Sequence, residues 1–379
     1  MGNTLTSIMP KILARAHMVL RETCWMPSLV NADYSNEAAQ KGTTIDVPIP
    51  TAVGTSAVSP SYVPPSSTDT VTSRVQVSLD NWQQNDAIHL TDKEMVDIDR
   101  NAHFLPMQMG EAIRALAGDV NQDLMAEYTR VWGCVGTAAT TPFGSDTSDI
   151  INTRKLLNQQ LCPKAERRMV LDHDAEANAL QLASLVDFNT TGDSGTKSEG
   201  EIGRKLGFWW FSDDDVPSHT TGAAGTWLTD QADIAIGDTG IHADGATTTA
   251  SVGDVFTVAG DTQQYTIVTS GTLATNDVDI TFQPPAKVAW ADSAAMTFVA
   301  SHTANLAFHR DAWVFATRPL ASSSADLALG SQIMSMTDPK TNLSLRLEVS
   351  RQHKQVAWEF DILWGARLVR PELAVRVLG

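Results

Sequence analysis

Cysteine is scarce in this chain: its 379 residues include three, Cys24, Cys134 and Cys162. They stand far apart, with no CxxC and no Cys/His pair beside them, which argues against a disulfide framework or a zinc ribbon and fits free thiols in a reducing compartment. Basic charge is also short, with 27 Lys and Arg against 44 Asp and Glu and a formal charge of -17. A field of that sign repels phosphate, so neither general nor sequence-specific nucleic-acid binding is expected. No uncharged run reaches the roughly 18 apolar residues of a membrane span. Lys11, Arg15 and Arg21 interrupt the N-terminal stretch, so no export signal and no membrane anchor is expected. The phosphate loop GxxxxGK, the dinucleotide turn GxGxxG, the zinc helix HExxH and the nucleophile elbow GxSxG are all missing, which counts against the commonest enzyme classes. What remains is 42% hydrophobic, enough for buried cores in two or three domains.

The organisation is α+β. Leu5, Ile8, Ile12, Ala16 and Val19 recur at helical spacing and predict an amphipathic helix that docks on a neighbour. Ile45, Val47 and Ile49, then Val75, Val77 and Leu79, alternate with polar residues and predict the two arms of a long hairpin. Between them Thr51 to Thr70 holds nine Ser or Thr, three Pro and one charge, Asp69. Run extended, such a loop projects on the order of 30 Å, far enough to lie across an adjacent molecule. Thr91 and Glu94 have capping-box spacing and predict a short helix from Asp92. Ile113, Leu116, Val120, Leu124, Tyr128 and Val131 predict a helix of about 25 residues, near 38 Å long. A second helix is expected from Ser148 to Leu161, stopped by Pro163, then a strand over Arg168 to Leu171 and a helix capped by Asp174 carrying Ala177, Leu180, Leu182 and Leu185. From about Gly222 to Ala300 the composition turns to Thr, Ala, Gly and Asp, with nine Asp, no Glu and Lys287 as the only Lys or Arg. Short β-rich runs around Val255, Tyr265, Val278 and Met296 predict a small barrel or sandwich inserted in the main fold. Leu343 to Val349 and Val356 to Ile362 predict an antiparallel pair. Gly365 then permits a tight bend, and a last strand carries Leu373, Val375 and Val377.

Candidates for chemistry are few. Asp213, Asp214 and Asp215 with His219 could hold a hard cation, but adjacent carboxylates rarely converge on one ion, and a solvated turn is the expectation. Asp172, His173 and Asp174 follow a strand, where an acid or base could stand, but helix capping accounts for them. Gly237, Gly240 and Gly260 lack a nearby cation to neutralise a phosphate and read as hairpin turns. Phe208, Trp209, Trp210 and Phe211 could stack on bases if exposed, and burial is expected instead. No catalytic, cofactor-binding or metal-binding residue is assigned, and no cofactor is expected.

Four segments in order, Arg167 to Asp172, Gly203 to Phe208 with Val216 to Thr220, Asn305 to Ala312, and Trp364 to Glu372, resemble the major capsid (coat) proteins of tailed bacteriophages, in the branch with a β-barrel inserted in the axial domain. The resemblance spans most of the chain. It implies an N-terminal arm over 1–42, an extended loop hairpin over 43–80 and a peripheral domain over 81–159 with a spine helix near 105–132. An axial domain over 160–221 and 304–341 would be interrupted by the barrel at 222–303, with C-terminal strands of the peripheral domain over 342–379. It further implies a non-enzymatic subunit that self-assembles as hexamers and pentamers of an icosahedral shell around phage double-stranded DNA. Scaffolding and portal proteins would be its partners, a decoration protein a further one, and its places the host bacterial cytoplasm before assembly and the virion after it. Two other readings stay open on the residues alone. A soluble acidic hydrolase would need a cleft with a buried Asp–His pair, and a β-rich binding or tail module would form small oligomers without shells.

Overall fold

The computed structural model describes residues 12–14, 16, 18, 25–34, 44–51, 53–55, 57–58, 60, 72–94, 107–186, 202–230, 234–320, 332–338 and 343–379. The N-terminal stretch is helical at the residues described there, and Ile12, Leu13 and Ala16 are buried in the chain's own main core. At Ile12 and Ala16 that corrects the expectation that this face waits for a neighbour, while Leu5, Ile8 and Val19 of the same stripe lie outside the described residues. A single turn, α1 (Met26–Leu29), follows.

The hairpin forms as the alternation predicts. Strands β1 (Thr44–Ile49) and β2 (Ser73–Ser78) pair antiparallel in the register Ile45↔Val77 and Val47↔Val75, a two-stranded sheet of their own. Its root is fastened by two small clusters, Ile45 with Leu79, Ala316 and Leu363, and Val47 with Val77, Val314 and Val369. Beyond the root the described residues carry no strand or helix, and Val53 and Val58 are exposed. Most of the loop tip, 61–71, lies outside the described residues.

Two larger sheets share one core with the long helix. In the first, the strand β20 (Gln355–Leu368) pairs with β3 (Asn81–Gln84), β4 (Ile88–Thr91), β17 (Trp313–Thr317) and β19 (Ser344–Arg351), and β19 pairs with β18 (Gln332–Thr337). The long helix α2 (Met107–Ala126) packs on β20. Its apolar stripe Met109, Ile113, Leu116, Val120 and Leu124 is buried, as the spacing requires. Asp123 on its flank accepts hydrogen bonds from Asn81 (2.8 Å) and the Trp364 indole (2.9 Å), fixing its position along the strand. The α-helix ends sooner than expected. From Glu127 to Arg130 the chain tightens into a 3-10 turn that still buries Tyr128.

The second sheet runs β5 (Gly133–Val135), β21 (Ala374–Leu378), β16 (His302–His309), β6 (Arg167–Leu171), β8 (Phe208–Ser212), β7 (Arg204–Lys205), with β9 (Ser218–His219) paired to β16 as well. The segment 342–379 therefore serves both sheets: β19 and β20 lie beside the long helix, and the last strand crosses to the other sheet. Helix α3 (Ser148–Gln159) lies on the second sheet through Ile150, Thr153 and Leu157. The next helix, α4 (His173–Gln181), is capped by Asp172 and not by Asp174. Only Asp172 has the extended backbone an N-cap needs, and its carboxylate accepts from the Ala175 N–H at 3.2 Å. The run expected to continue through Leu185 breaks at Leu182 and resumes as α5 (Ala183–Val186). The capping box at Thr91 is half made: the Glu94 carboxylate accepts from both the Thr91 N–H and its hydroxyl, each at 2.9 Å.

Gly365 makes no bend. β20 runs straight through it, and the missing side chain admits the Ser78 carbonyl of the hairpin root, 2.2 Å from where a Cβ would stand. The glycine is needed for close approach rather than for a turn.

The insert is a nearly closed barrel with its own core. Its strands β10 (Gly225–Thr229), β11 (Gly240–Ala246), β12 (Val255–Val258), β13 (Tyr265–Ser270), β14 (Val278–Gln283) and β15 (Met296–Phe298) run in the order β10-β11-β14-β13-β12-β15. Contact between Leu228 and Ala295 brings the two ends of that order together. Trp227, Phe256, Tyr265, Phe282 and Trp290 fill the interior, with ring centroids of Tyr265 and Trp290 4.9 Å apart. Gly237 and Gly260 occupy turns with positive φ, as expected, whereas Gly240 begins β11.

Candidate functional site

The candidate residues singled out from sequence do not converge. Asp213 and Asp215 turn to the long helix, where the Asn121 amide donates to Asp213 (2.7 Å) and Asp215 (2.9 Å) and the Gln122 amide to Asp215 (3.0 Å). Burial holds the Asp213 carboxyl above its ordinary pKa. Asp214 faces away and pairs at the surface with His173, at 2.6 Å. The triplet is thus a helix-docking turn, more buried at Asp213 than a solvated turn would be. Phe208 and Trp210 are buried, Trp209 is exposed, and Phe211 is half-buried, the alternation of a strand with one covered face.

His219 belongs to a different group, which sequence reasoning missed. Its Nε2 lies 2.8 Å from the Asp254 carboxylate and its Nδ1 3.0 Å from the Tyr128 hydroxyl. With the Nε2–H donated to Asp254, Nδ1 accepts the tyrosine proton. Asp254 also accepts from the N–H groups of Gly222, Ala223 and Ser251. The His302 ring lies 5.2 Å from that of His219, and its Nδ1 meets the Ala300 carbonyl at 2.8 Å. Burial, the leading cause, depresses the His302 pKa to about 4.

Arg376 completes the group. Fully buried, it donates to the carbonyls of Gly253 (2.7 Å), Thr129 (3.2 Å) and Val131 (3.2 Å), and its guanidinium lies 5.2 Å from the centre of the Tyr128 ring. Burial lowers its pKa to about 10, and burial raises the neighbouring Cys134 thiol to about 11, so that thiol stays protonated and weakly nucleophilic. Gly253, at φ +95°, presses on Thr129, whose Cβ would be 2.9 Å from an added methyl. One arginine of the last strand thus joins the barrel to the end of the long helix. Residue 376 reads from sequence as a polar position on a one-sided strand, but β21 is buried along its whole length.

A Tyr–His–Asp chain has the composition of acid–base machinery, but not its access. His219 and Asp254 side chains are 4% and 0% exposed. Clefts of about 440, 330 and 400 Å³ open elsewhere: over His242 and Thr281, between Ile49, Trp132 and Arg367, and along Ile151 to Gln159. The arrangement fastens the barrel to the body.

On the outer face of the barrel, Asp230, His242 and Asp277 place their ligand atoms within 4.8 Å of one another, a group able to meet a cation. Asp279 takes the other ring nitrogen of His242 at 2.6 Å, and that hydrogen bond raises the histidine pKa. Among the described residues, no helix is long and apolar enough to cross a membrane.

No protein-family model matches the chain, and no curated protein matches it. Several solved structures are similar to it at a distance. A chain from a structure of Mycobacterium phage Che8 is 13% identical, with 92% of this chain and 89% of that chain covered at a TM-score of 0.49. The capsid structure of the cyanophage P-SCSP1u is 12% identical, over 89% and 84%, at 0.47. The mature capsid of bacteriophage PhiM1 is 9% identical, over 90% and 83%, at 0.46.

Proposed function

We propose that this chain is the major capsid protein of a tailed bacteriophage, a subunit that self-assembles into an icosahedral procapsid and then the mature head shell enclosing double-stranded DNA. The observation that carries the reading is the hairpin of β1 and β2. It forms a two-stranded sheet of its own whose paired part packs on the body from Ile45 out to Ile49, with apolar Val53 and Val58 exposed beyond among the described residues. An isolated two-stranded ribbon is marginal in water, so its outer part calls for a surface supplied by another molecule. The four-segment sequence resemblance supports the same conclusion.

In this reading 1–42 is the arm, 43–80 the extended loop, 81–159 with 342–379 the peripheral part, 160–221 with 304–341 the axial part and 222–303 the inserted barrel. The subunit packs into hexamers and pentamers. Scaffolding and portal proteins are its partners, a decoration protein is a further candidate, and it acts without catalysis. It waits in the host cytoplasm and ends in the virion. The hydrolase reading lacks an open path to the buried Asp254–His219 pair.

Negative-stain electron microscopy of the purified chain, alone and with a scaffolding protein from the same source, tests the proposal. Closed or partial polyhedral shells are expected. Small discrete oligomers under every condition would overturn it and favour the β-rich binding module.

A further inference from the structure

Among the described residues, the barrel's contacts with the second sheet are carried by β12 and β13. Val255 packs with Cys134 and Leu378, the Thr266 hydroxyl donates to the Val131 carbonyl at 2.9 Å, and the Gln264 side chain accepts from the Cys134 N–H at 2.8 Å. Strands β12 and β13 therefore face the β5 edge of the second sheet. In the order β10-β11-β14-β13-β12-β15, strand β11 lies on the far side of the ring and faces away. That outward face is acidic: His242 and Asp244 on β11 and Asp279 on β14 point out, flanked by Asp230 and Asp277. Among the described residues no Lys or Arg pairs with any of these carboxylates.

The other edge of the same sheet has the opposite character. At the β7–β8 turn Leu206 and Trp209 are exposed, as is Ile151 on α3. The Arg204 guanidinium lies 5.8 Å from the Trp209 ring centre, and Arg154 donates to the Leu206 carbonyl at 3.3 Å. Lys155 stands beside Arg154, and an open groove of about 400 Å³ runs past both. None of these three cations meets a carboxylate among the described residues. From β5 to β7 the sheet takes five steps of about 4.8 Å, so the β7–β8 turn lies about 24 Å from the β5 edge, and α3 lies between them, its Leu156 against Gly133 of β5 and its Arg154 at Leu206. With its acidic face turned away from the body, a barrel cannot cover the patch of its own chain.

We propose that the occupant of the basic, tryptophan-bearing patch is the acidic barrel face of a second copy of this chain, docked head to tail. The proposal rests on the self-assembly reading and names the surfaces it uses. Charge complementarity selects the partner: a chain of net charge -17 repels its copies unless local faces of opposite sign meet. Arg and Trp are also the side chains that anchor protein interfaces. Because the two faces differ, the contact is heterologous, and repeating it generates rings or open arrays.

Two measurements on the full chain test this. In the first, assembled particles made from mixed 14N- and 15N-labelled chains are treated with a zero-length carbodiimide. Isotope-hybrid peptides joining Lys155 to Asp244, Asp277 or Asp279 are expected. In the second, the triple variant Arg154→Glu/Lys155→Glu/Arg204→Glu is compared with Asp244→Lys/Asp279→Lys and with the combination of both sets, after circular dichroism shows each to be folded. Each set alone should cut the assembled fraction about tenfold or more through like-charge juxtaposition, and the combination should restore it to within about threefold. Wild-type particles that lack the hybrid peptides, or a triple variant that assembles normally, overturn the docking while leaving the self-assembly reading intact. So would a triple variant that assembles normally but loses retention of duplex DNA, since the patch would then serve nucleic acid. A wild-type chain that never assembles overturns both.

Discussion

Acid should loosen the attachment of the barrel through His302. Its ring is buried between β9 and the barrel entry, with His219, Arg376 and Asp254 facing it. Burial outweighs the rest: the two cationic or ionisable nitrogenous neighbours also oppose a proton, while Asp254 and the Ala300 carbonyl favour it. The folded pKa of about 4 lies below the 6.5 of the free side chain. A lowered histidine pKa means that the stabilisation is complete above about pH 6.5 and drains away as pH falls toward 4. The full difference of about 2.5 pH units corresponds to about 3.4 kcal/mol, as an upper limit, and about 2 kcal/mol of it is gone at pH 5. Urea unfolding of the unassembled chain at pH 8, 6.5 and 5, for wild type and His302→Phe, isolates the effect, because every other titrating group is common to both. The wild type should lose about 2 kcal/mol more than the variant between pH 8 and pH 5. Parallel pH profiles for the two proteins would refute the argument.

Other outcomes follow from the same structure. Asp254→Ala leaves His219 and the N–H groups of Gly222, Ala223 and Ser251 without their acceptor, and should cost about 3–5 kcal/mol, read as a fall in Tm together with faster proteolysis at the barrel boundary. Gly365→Ala drives a methyl to 2.2 Å from the Ser78 carbonyl; a loss of about 3 kcal/mol or more and hydrogen exchange opening at Ser73–Ser78 are expected, and protection unchanged there would contradict the close-approach role. Deleting Thr51 to Thr70 should leave a folded, soluble chain with an unchanged circular dichroism spectrum that no longer forms shells, so normal shells would remove the loop from assembly. His242 should titrate above a free histidine in an NMR pH series, and Asp279→Asn should bring it back down, since the Asp279 hydrogen bond is the leading cause of the shift.

What the sequence made legible was whatever depended on periodicity in a half-buried element. The β1–β2 hairpin, the stripe of α2, the stop of α3 before Pro163 and the register of Leu345, Leu347 and Val349 against Ile362, Phe360 and Trp358 all follow from alternation or helical spacing. Strand β11, Gly-Ile-His-Ala-Asp-Gly-Ala, was invisible because its inward positions include Ala243 and Ala246, small residues that carry no β signal but fit a narrow barrel. Gly365 was misread because a glycine needed for close packing looks the same in sequence as one needed for a turn. The junction group was illegible for a different reason. Tyr128, His219, Asp254, His302 and Arg376 come from five separate segments, and only the closing of β9 on β16 and of β21 on β5 brings them together. Arg376 in particular sits between Val375 and Val377, where alternation points it to solvent and the covered second face of the sheet keeps it inside.

The barrel leaves and rejoins its host at one place. Ser218–His219 pairs with His302–Thr303, so the chain exits and returns along neighbouring strands, and the two cut points lie a ladder's width apart. A unit with its own core thereby hangs on one strand pair. The barrel is in this sense a cassette with a keyed fitting: any unit exchanged for it would have to supply the carbonyl of Gly253 to Arg376 and the carboxylate of Asp254 to His219.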